Sequence, residues 1–225
     1  MPTRIFFIHT VSGLHGMFND LCAKHMTDFK TTHISDESLI QRALAAGGLT
    51  PVLYRRVCDH VAAAEEAGAE FIQLTCSSVS PCVDVARPMV GVPVLKIDEP
   101  VATQAVTQYA RIGVIATACS TLTPSSDLVR QTAAAMGRTV EVTPVLCEGA
   151  YDAWFRGDTA THDRIVTEHL RDLMGRVDAV LLAQASMARL ANAMSDAEKT
   201  VPILSSPEPA IEHLARLVRK KQAGE

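Results

Sequence analysis

The 225-residue chain has six cysteines, at 22, 58, 76, 82, 119 and 147, and no two of them are spaced CxxC. The usual spacing of a zinc knuckle or a dithiol redox centre is therefore missing. Positive charge is not in excess: the net charge of −4 leaves no basic field for a nucleic-acid partner. The only concentrated cationic patch, 216–221, reads as the solvated last turn of a helix, where cations suit the dipole. No apolar stretch approaches the roughly 20 residues that span a bilayer, so no membrane partner is expected. Residues 1–13 carry Arg4 and His9 with only a short apolar run between them, so no secretory signal is expected. Free thiols in a cytoplasmic chain are the matching expectation.

With 48% hydrophobic and 20% charged residues, the composition is that of an ordinary globular protein. The length suffices for one large α/β domain or two smaller lobes. The most informative stretch is AEFIQLTCSSVSP, at 69–81. The apolar run Phe71-Ile72-Gln73-Leu74 reads as a buried strand that stops at Thr75-Cys76-Ser77-Ser78. Ligands of open α/β sheets bind at the carboxyl ends of strands. A thiol followed by two hydroxyls and fresh backbone N–H groups at such an end suits chemistry on a small anion. The competing reading is an inert core cysteine, since cysteine is among the most buried residue types.

Elsewhere, 4–8 reads as the first strand, running into His9-Thr10-Val11-Ser12-Gly13, and 31–34 as a short strand. Thr50 is expected to cap a long helix with Pro51 at its first position and Gly68 after its end. A strand at 92–97 leads through Asp98-Glu99-Pro100 into a helix. The pattern then restarts. Residues 111–117 match 4–10, 177–184 match 69–76, and 201–209 match 92–100. The shifts (4 to 111, 76 to 184, 100 to 209) are 107, 108 and 109. Three matched strands at nearly constant spacing predict two pseudo-symmetric α/β lobes, each with a mostly parallel sheet flanked by helices. The expected lobes are 1–98 plus 205–225, carrying Cys76, and 99–204, carrying Gln184. The expected site is the cleft between them, with residues matched by the repeat on opposite walls.

On these motifs, namely Thr75-Cys76-Ser77-Ser78, the GVIAT-x-x-x-T turn from Gly113 to Thr121, and the proline-rich strand at 92–98, the chain resembles the aspartate/glutamate racemase superfamily over nearly its whole length. The resemblance implies cofactor-independent, metal-free chemistry at the carbon beside a carboxylate, with a cysteine from each lobe exchanging protons on opposite faces of the substrate. It assigns Cys76 as the catalytic first-lobe cysteine. It assigns Ser77 and Ser78, with Thr117 and Thr121 of the second lobe, as the carboxylate cradle, and it lines the same cleft with His9 and Thr10. Where the second cysteine should stand, the repeat places Gln184, with Ser186 nearby. An amide is neither acid nor base near neutral pH, so two-base racemisation does not follow. Glutamate racemases also carry an acidic residue after the first strand, and Ile8-His9-Thr10 has none.

Cys119 is a candidate second thiol in the 117–121 loop, or simply a small loop residue. Cys22, Cys58, Cys82 and Cys147 read as core packing. His9 can polarise a substrate, lower the thiol pKa or only meet water. His15 reads as helical, and His25, His33, His60, His162, His169 and His213 as surface residues without shared spacing. Asp98 is most simply a helix cap, and Asp36 either points to the cleft or caps the helix from Leu39. Trp154 and Arg156 read as core or subunit contact, or as a lid. The functional expectation is a racemase- or isomerase-type enzyme on a small carboxylate, with Cys76 as base or nucleophile. A single-cysteine decarboxylase or lyase and a non-catalytic binder of a small acid are the alternatives. The sequence is compatible with a homo-oligomer and does not decide the point.

Overall fold

The computed structural model describes residues 1–224, and the side chain of Ser186 lies outside the described residues. The elements follow in the order β1 (Thr3–His9), α1 (His15–His25), β2 (Phe29–Ser35), α2 (Glu37–Ala46), α3 (Pro51–Glu66), β3 (Phe71–Leu74), α4 (Cys82–Ala86), β4 (Val94–Lys96) and α5 (Glu99–Gln108). They continue with β5 (Arg111–Ala116), α6 (Cys119–Ala135), β6 (Glu141–Leu146), α7 (Ala150–Phe155), α8 (Thr159–Met174), β7 (Ala179–Leu182), α9 (Ala188–Ala193), β8 (Ile203–Ser205) and α10 (Pro207–Ala223). The strands form two four-stranded sheets, ordered β2-β1-β3-β4 and β6-β5-β7-β8. Every pairing is parallel. The strands paired by the repeat, β1 with β5, β3 with β7 and β4 with β8, hold equivalent places in the two sheets. Ile8 lies opposite Leu74 in one sheet and Ile115 opposite Leu182 in the other.

The chain separates into two compact units, Met1–Glu99 with Pro207–Glu225, and Pro100–Ser206. In the first unit, alternation along β1 sends Phe6 and Ile8 to one face of the sheet and Ile5 and Phe7 to the other. Phe6 and Ile8 pack with Leu53, Val57 and Val61 of α3. Ile5 and Phe7 pack with Phe18 of α1 and with Ile211, Leu214 and Val218 of α10. A parallel strand covered on both faces has no polar side, and so its sequence is a continuous apolar run. The second unit repeats this arrangement. Ile115 and Val180 meet Val166, Leu170 and Leu173 of α8. Ile112 and Val114 meet Val101, Ala105 and Val129 of α5 and α6. Gly113 sits where β5 meets α8: a Cβ there would lie 2.8 Å from both Cγ and Cδ2 of the buried Leu173. Among the described residues no helix is long and apolar enough to cross a membrane.

Local signals account for most helix ends. Pro51 opens α3, but Thr50 caps it in position only, since its side chain makes no cap hydrogen bond. Gly68, with φ of +90°, takes the left-handed turn after α3 that favours glycine. Asp36 does cap α2, accepting from the Ser38 N–H at 3.1 Å. Its other oxygen accepts from Arg56 (2.7 Å) and pairs with His60 (2.8 Å). Burial alone would raise the Asp36 pKa, but the hydrogen bonds from His60 and Ser38 and the Arg56 charge outweigh it, and the net shift is downward. This stabilisation is therefore present above the ordinary carboxylate range and is lost as pH falls through the lowered value. Asp36→Ala should cost about 1–2 kcal/mol, read as a lower urea midpoint at pH 7. The deficit should shrink in acid, where the wild type also loses the carboxylate.

Candidate active site

β3 reaches its last ladder position at Leu74, and the Thr75 N–H still donates to the Ile8 carbonyl at 3.1 Å. Cys76 remains extended, and a short 3-10 turn, Ser77–Val79, then leads toward α4. This reversal turns the Ser78 N–H back toward the Cys76 sulfur, with the Thr10 hydroxyl nearby, while the Val79 N–H donates to the Cys76 carbonyl at 3.3 Å. Thr10 Oγ1 is buried and has no hydrogen-bond partner among the described residues. Cys76 is half-buried. Burial pushes its thiol above the ordinary range, against the hydrogen bonds from Thr10, Ser78 and Val79 that favour the thiolate. The group rests protonated at neutral pH, in a setting already furnished with donors for the anion.

Asp98 belongs to the same strand-end cluster instead of serving as a simple helix cap. It is buried, and its Oδ1 accepts from Ser80 Oγ at 2.7 Å. Its other partners are the Ser77 hydroxyl and its own N–H. Oδ2 is buried without a partner among the described residues. Burial dominates and raises this carboxyl, with the hydrogen bonds acting against it. The Ser77 hydroxyl is thus directed to a carboxyl of the chain itself.

His9 is wholly buried at the end of β1. Its Nδ1 meets Thr75 Oγ1 at 2.9 Å and its Nε2 meets His33 Nδ1 at 2.8 Å. His33 Nε2 in turn reaches Asn19 Oδ1 at 3.0 Å, which also accepts from Thr31 Oγ1 at 2.7 Å. An amide oxygen can only accept. His33 therefore donates through Nε2, and its Nδ1 accepts from the His9 Nε2–H. His9 Nδ1 is left to accept from the Thr75 hydroxyl, whose single proton the Ile8 carbonyl, 3.2 Å from Oγ1, shares. Burial foremost, then the charges of His33 and His15, push His9 down to about 3, and it stays neutral. His33 was expected at the surface; it is half-buried here because parallel pairing sets it opposite Phe7, two residues before His9. His162 is also buried, beneath Trp154 and against Asp163. The histidines at 25, 60, 169 and 213 are half-buried.

In the second unit, Gln184 follows β7 with the same extended backbone as Cys76. Its Oε1 accepts from both the N–H (2.8 Å) and the hydroxyl (2.9 Å) of Thr117. The two Thr117 donors expected to meet a substrate carboxylate are engaged by the glutamine. Its Nε2 is left without a partner among the described residues. Thr121 is buried in the first turn of α6. Cys119 begins that helix, exposed, and is not in a loop. Ser186 falls in the turn Ala185–Met187, its side chain outside the described residues. Trp154 is exposed, as are Phe155 and Arg156, so it is not the core residue the sequence suggested; the Arg189 guanidinium lies over its ring, 5.3 Å from the centroid. Cys22, Cys58, Cys82 and Cys147 are buried. Sequence reasoning missed the roles of Ser80 and Asp98 and the joining of His9 to His33. The parallel pairing of β1 with β2 was the signal for the second.

No curated protein matches the sequence. Solved structures share the fold over nearly the whole chain. A glutamate racemase isoform from Bacillus anthracis has a TM-score of 0.77 at 18% identity, covering 97% of this chain and 82% of its own. An aspartate racemase from Picrophilus torridus has a TM-score of 0.70 at 13% identity, covering 99% and 94%. An allantoin racemase from Klebsiella pneumoniae has a TM-score of 0.67 at 16% identity, covering 97% and 89%. The family model described as Asp/Glu/hydantoin racemase matches residues 18–214, and on that match the chain belongs to the Asp/Glu/hydantoin racemase family of isomerases.

Proposed function

We propose that this racemase-type enzyme acts on the carbon beside the carboxylate of a small acid or amino acid, with Cys76 as its single acid–base thiol. The observation that carries the reading is the seat of Cys76 just past the end of β3, extended and followed at once by the 3-10 turn Ser77–Val79, with the buried, unpartnered Thr10 hydroxyl at the end of the neighbouring β1. Thiolate character governs cysteine reactivity, and the Ser78 N–H and this hydroxyl favour the thiolate once a proton leaves. In the forward step the thiolate takes the Cα proton, and the electron pair is held by the adjacent carboxylate as an enediolate. The thiol then returns a proton to carbon, so atoms and charge are unchanged overall. By the resemblance, Ser78, Thr121 and the Gln184 amide are the donors assigned to substrate oxygens. Gln184 cannot return a proton, so the two-thiol exchange implied for the racemases is replaced by a one-base route. The chemistry needs no cofactor.

The test is α-hydrogen exchange in D2O, followed by proton NMR, over both enantiomers of aspartate, glutamate and small 2-substituted acids, with allantoin included because a similar fold racemises it. Loss of the α-proton signal from an acid, without CO2 release, is the expected result. CO2 release from a malonate without exchange elsewhere would convert the reading to a lyase. Saturable binding of an acid with no exchange would convert it to a binder.

A further inference from the structure

Three imidazoles converge at the carboxyl edge of the first sheet. His9 ends β1, His33 lies beside it in β2, and His15 opens α1. One nitrogen from each lies within 4.8 Å of the other two. His15 and His33 have centroids 4.5 Å apart at 19°, His9 and His33 5.1 Å apart at 19°, and His9 and His15 5.0 Å apart, tilted at 38°. The Cys76 chemistry uses neither His15 nor His33.

We propose that His9, His15 and His33 form a binding site for a divalent transition-metal ion of the zinc type. The donor set is the first argument. Three imidazoles and no carboxylate suit zinc and its neighbours in the first transition row, not magnesium or calcium, which take oxygen ligands. Three histidines also leave the fourth tetrahedral position open.

Spacing is the second argument. With Zn–N bonds of about 2.0–2.1 Å, two nitrogens of a tetrahedral site stand about 3.3 Å apart. His9 Nε2 and His33 Nδ1 are 2.8 Å apart; a separation of about half an ångström, with the His9 proton moved from Nε2 to Nδ1 and donated there to Thr75 Oγ1, whose own proton goes to the Ile8 carbonyl, replaces their hydrogen bond by two metal bonds.

The third is the support behind each ring. Metal-binding histidines hold their second nitrogen with a fixed partner, which sets ring orientation. Here His9 Nδ1 has Thr75 Oγ1 and His33 Nε2 has Asn19 Oδ1. His15 is paired through Nε2 with Ser35 Oγ at 2.8 Å. His15 is also the exposed member, so it is both the ring that turns and the side from which an ion enters.

A second group, His25, Glu208 and Glu212, meets the same distance criterion. It makes a weaker claim, because Glu208 already pairs with Lys24 and His25. That makes it the internal control.

The experiment uses the full, untagged chain, stripped with a chelator. Zinc is titrated by calorimetry, and cobalt(II) by its visible absorption. One ion per chain, at micromolar affinity or tighter, is expected, with a cobalt spectrum of low-coordinate nitrogen ligation. His15→Ala and His33→Ala should each weaken zinc at least a hundredfold. Asn19→Ala should weaken it about tenfold, the usual cost of losing an outer partner. His25→Ala should change nothing. Because a variant can fail to fold, long-range 15N–1H spectra of the unaltered chain provide a second readout, in which zinc should move the rings of His9, His15 and His33 together. Absence of stoichiometric uptake overturns the proposal, as does uptake that survives His15→Ala and disappears with His25→Ala. None of these readouts requires turnover, so this inference and the proposed activity fail separately.

Discussion

Cys76→Ala abolishes measurable turnover while leaving the protein folded: this is the expected result on whichever acid undergoes exchange, with kcat/KM at least about a thousandfold down, or about 4 kcal/mol of transition-state stabilisation. Removing the only acid–base group removes the proton transfer itself, so the loss should fall on kcat, with substrate binding retained. Cys76→Ser keeps the shape but not the acidity and should be nearly as poor. Because burial holds the thiol above the ordinary cysteine range, the working thiolate is a minority species at neutral pH. In the wild type, kcat/KM should therefore rise with pH and keep rising past about 8.5, where a free cysteine is half ionised. Thr10→Val removes a hydroxyl that favours the thiolate and should shift that rise to higher pH. Full activity in Cys76→Ala, or a pH profile flat through this range, would sink the mechanism.

Gly113→Ala should destabilise the second unit by about 1–3 kcal/mol, the usual cost of forcing a methyl group into a packed core. The added Cβ would stand 2.8–2.9 Å from Cγ and both Cδ atoms of Leu173. Leu173 is fully buried and surrounded by Val166, Leu170 and Val180, so it has nowhere to swing. The chain's one tryptophan, Trp154, lies in this same unit, so its fluorescence in a urea titration follows the unit that carries the change. The double variant Gly113→Ala/Leu173→Ala separates clash from propensity: trimming Leu173 should cost less in the Gly113→Ala background than in the wild type. Equal costs in both backgrounds would show that the two residues do not collide.

Much of the architecture was legible because apolar strands buried on both faces read as unbroken runs. Ile5-Phe6-Phe7-Ile8, Phe71-Ile72-Gln73-Leu74 and Ala179-Val180-Leu181-Leu182 could each be read this way, and their spacing disclosed the duplication. β6 escaped, since Glu141, Thr143 and Pro144 interrupt its apolar pattern and it lies at a sheet edge, where such residues are tolerated. At the site, the turn after β3 could be seen where a hydrophobic run gives way to Thr75-Cys76-Ser77-Ser78. The inward turn of Asp98 could not: the order Asp-Glu-Pro before a helix has the local signature of a cap, and burial against Ser80 is decided by tertiary packing. The engagement of Gln184 by Thr117 joins residues 67 apart, and the histidine cluster joins three positions with no common period. Parallel pairing joins Gln184 to Thr117 and His9 to His33 by bringing together strand ends that sequence spacing does not relate, and His15 is added by the start of α1.

The first unit is not continuous along the chain: α10 covers the Ile5–Phe7 face of its sheet, yet it is made only after all of Pro100–Ser206. During synthesis, then, the amino-terminal sheet emerges with one hydrophobic face covered only in part, by α1, and waits for more than a hundred residues. The second unit, contiguous in sequence, can finish folding first. The order of completion is thus reversed from the order of emergence, and the nascent chain carries a partly exposed apolar sheet face through that interval. Such a face is the kind of surface that chaperones shield and that aggregation exploits.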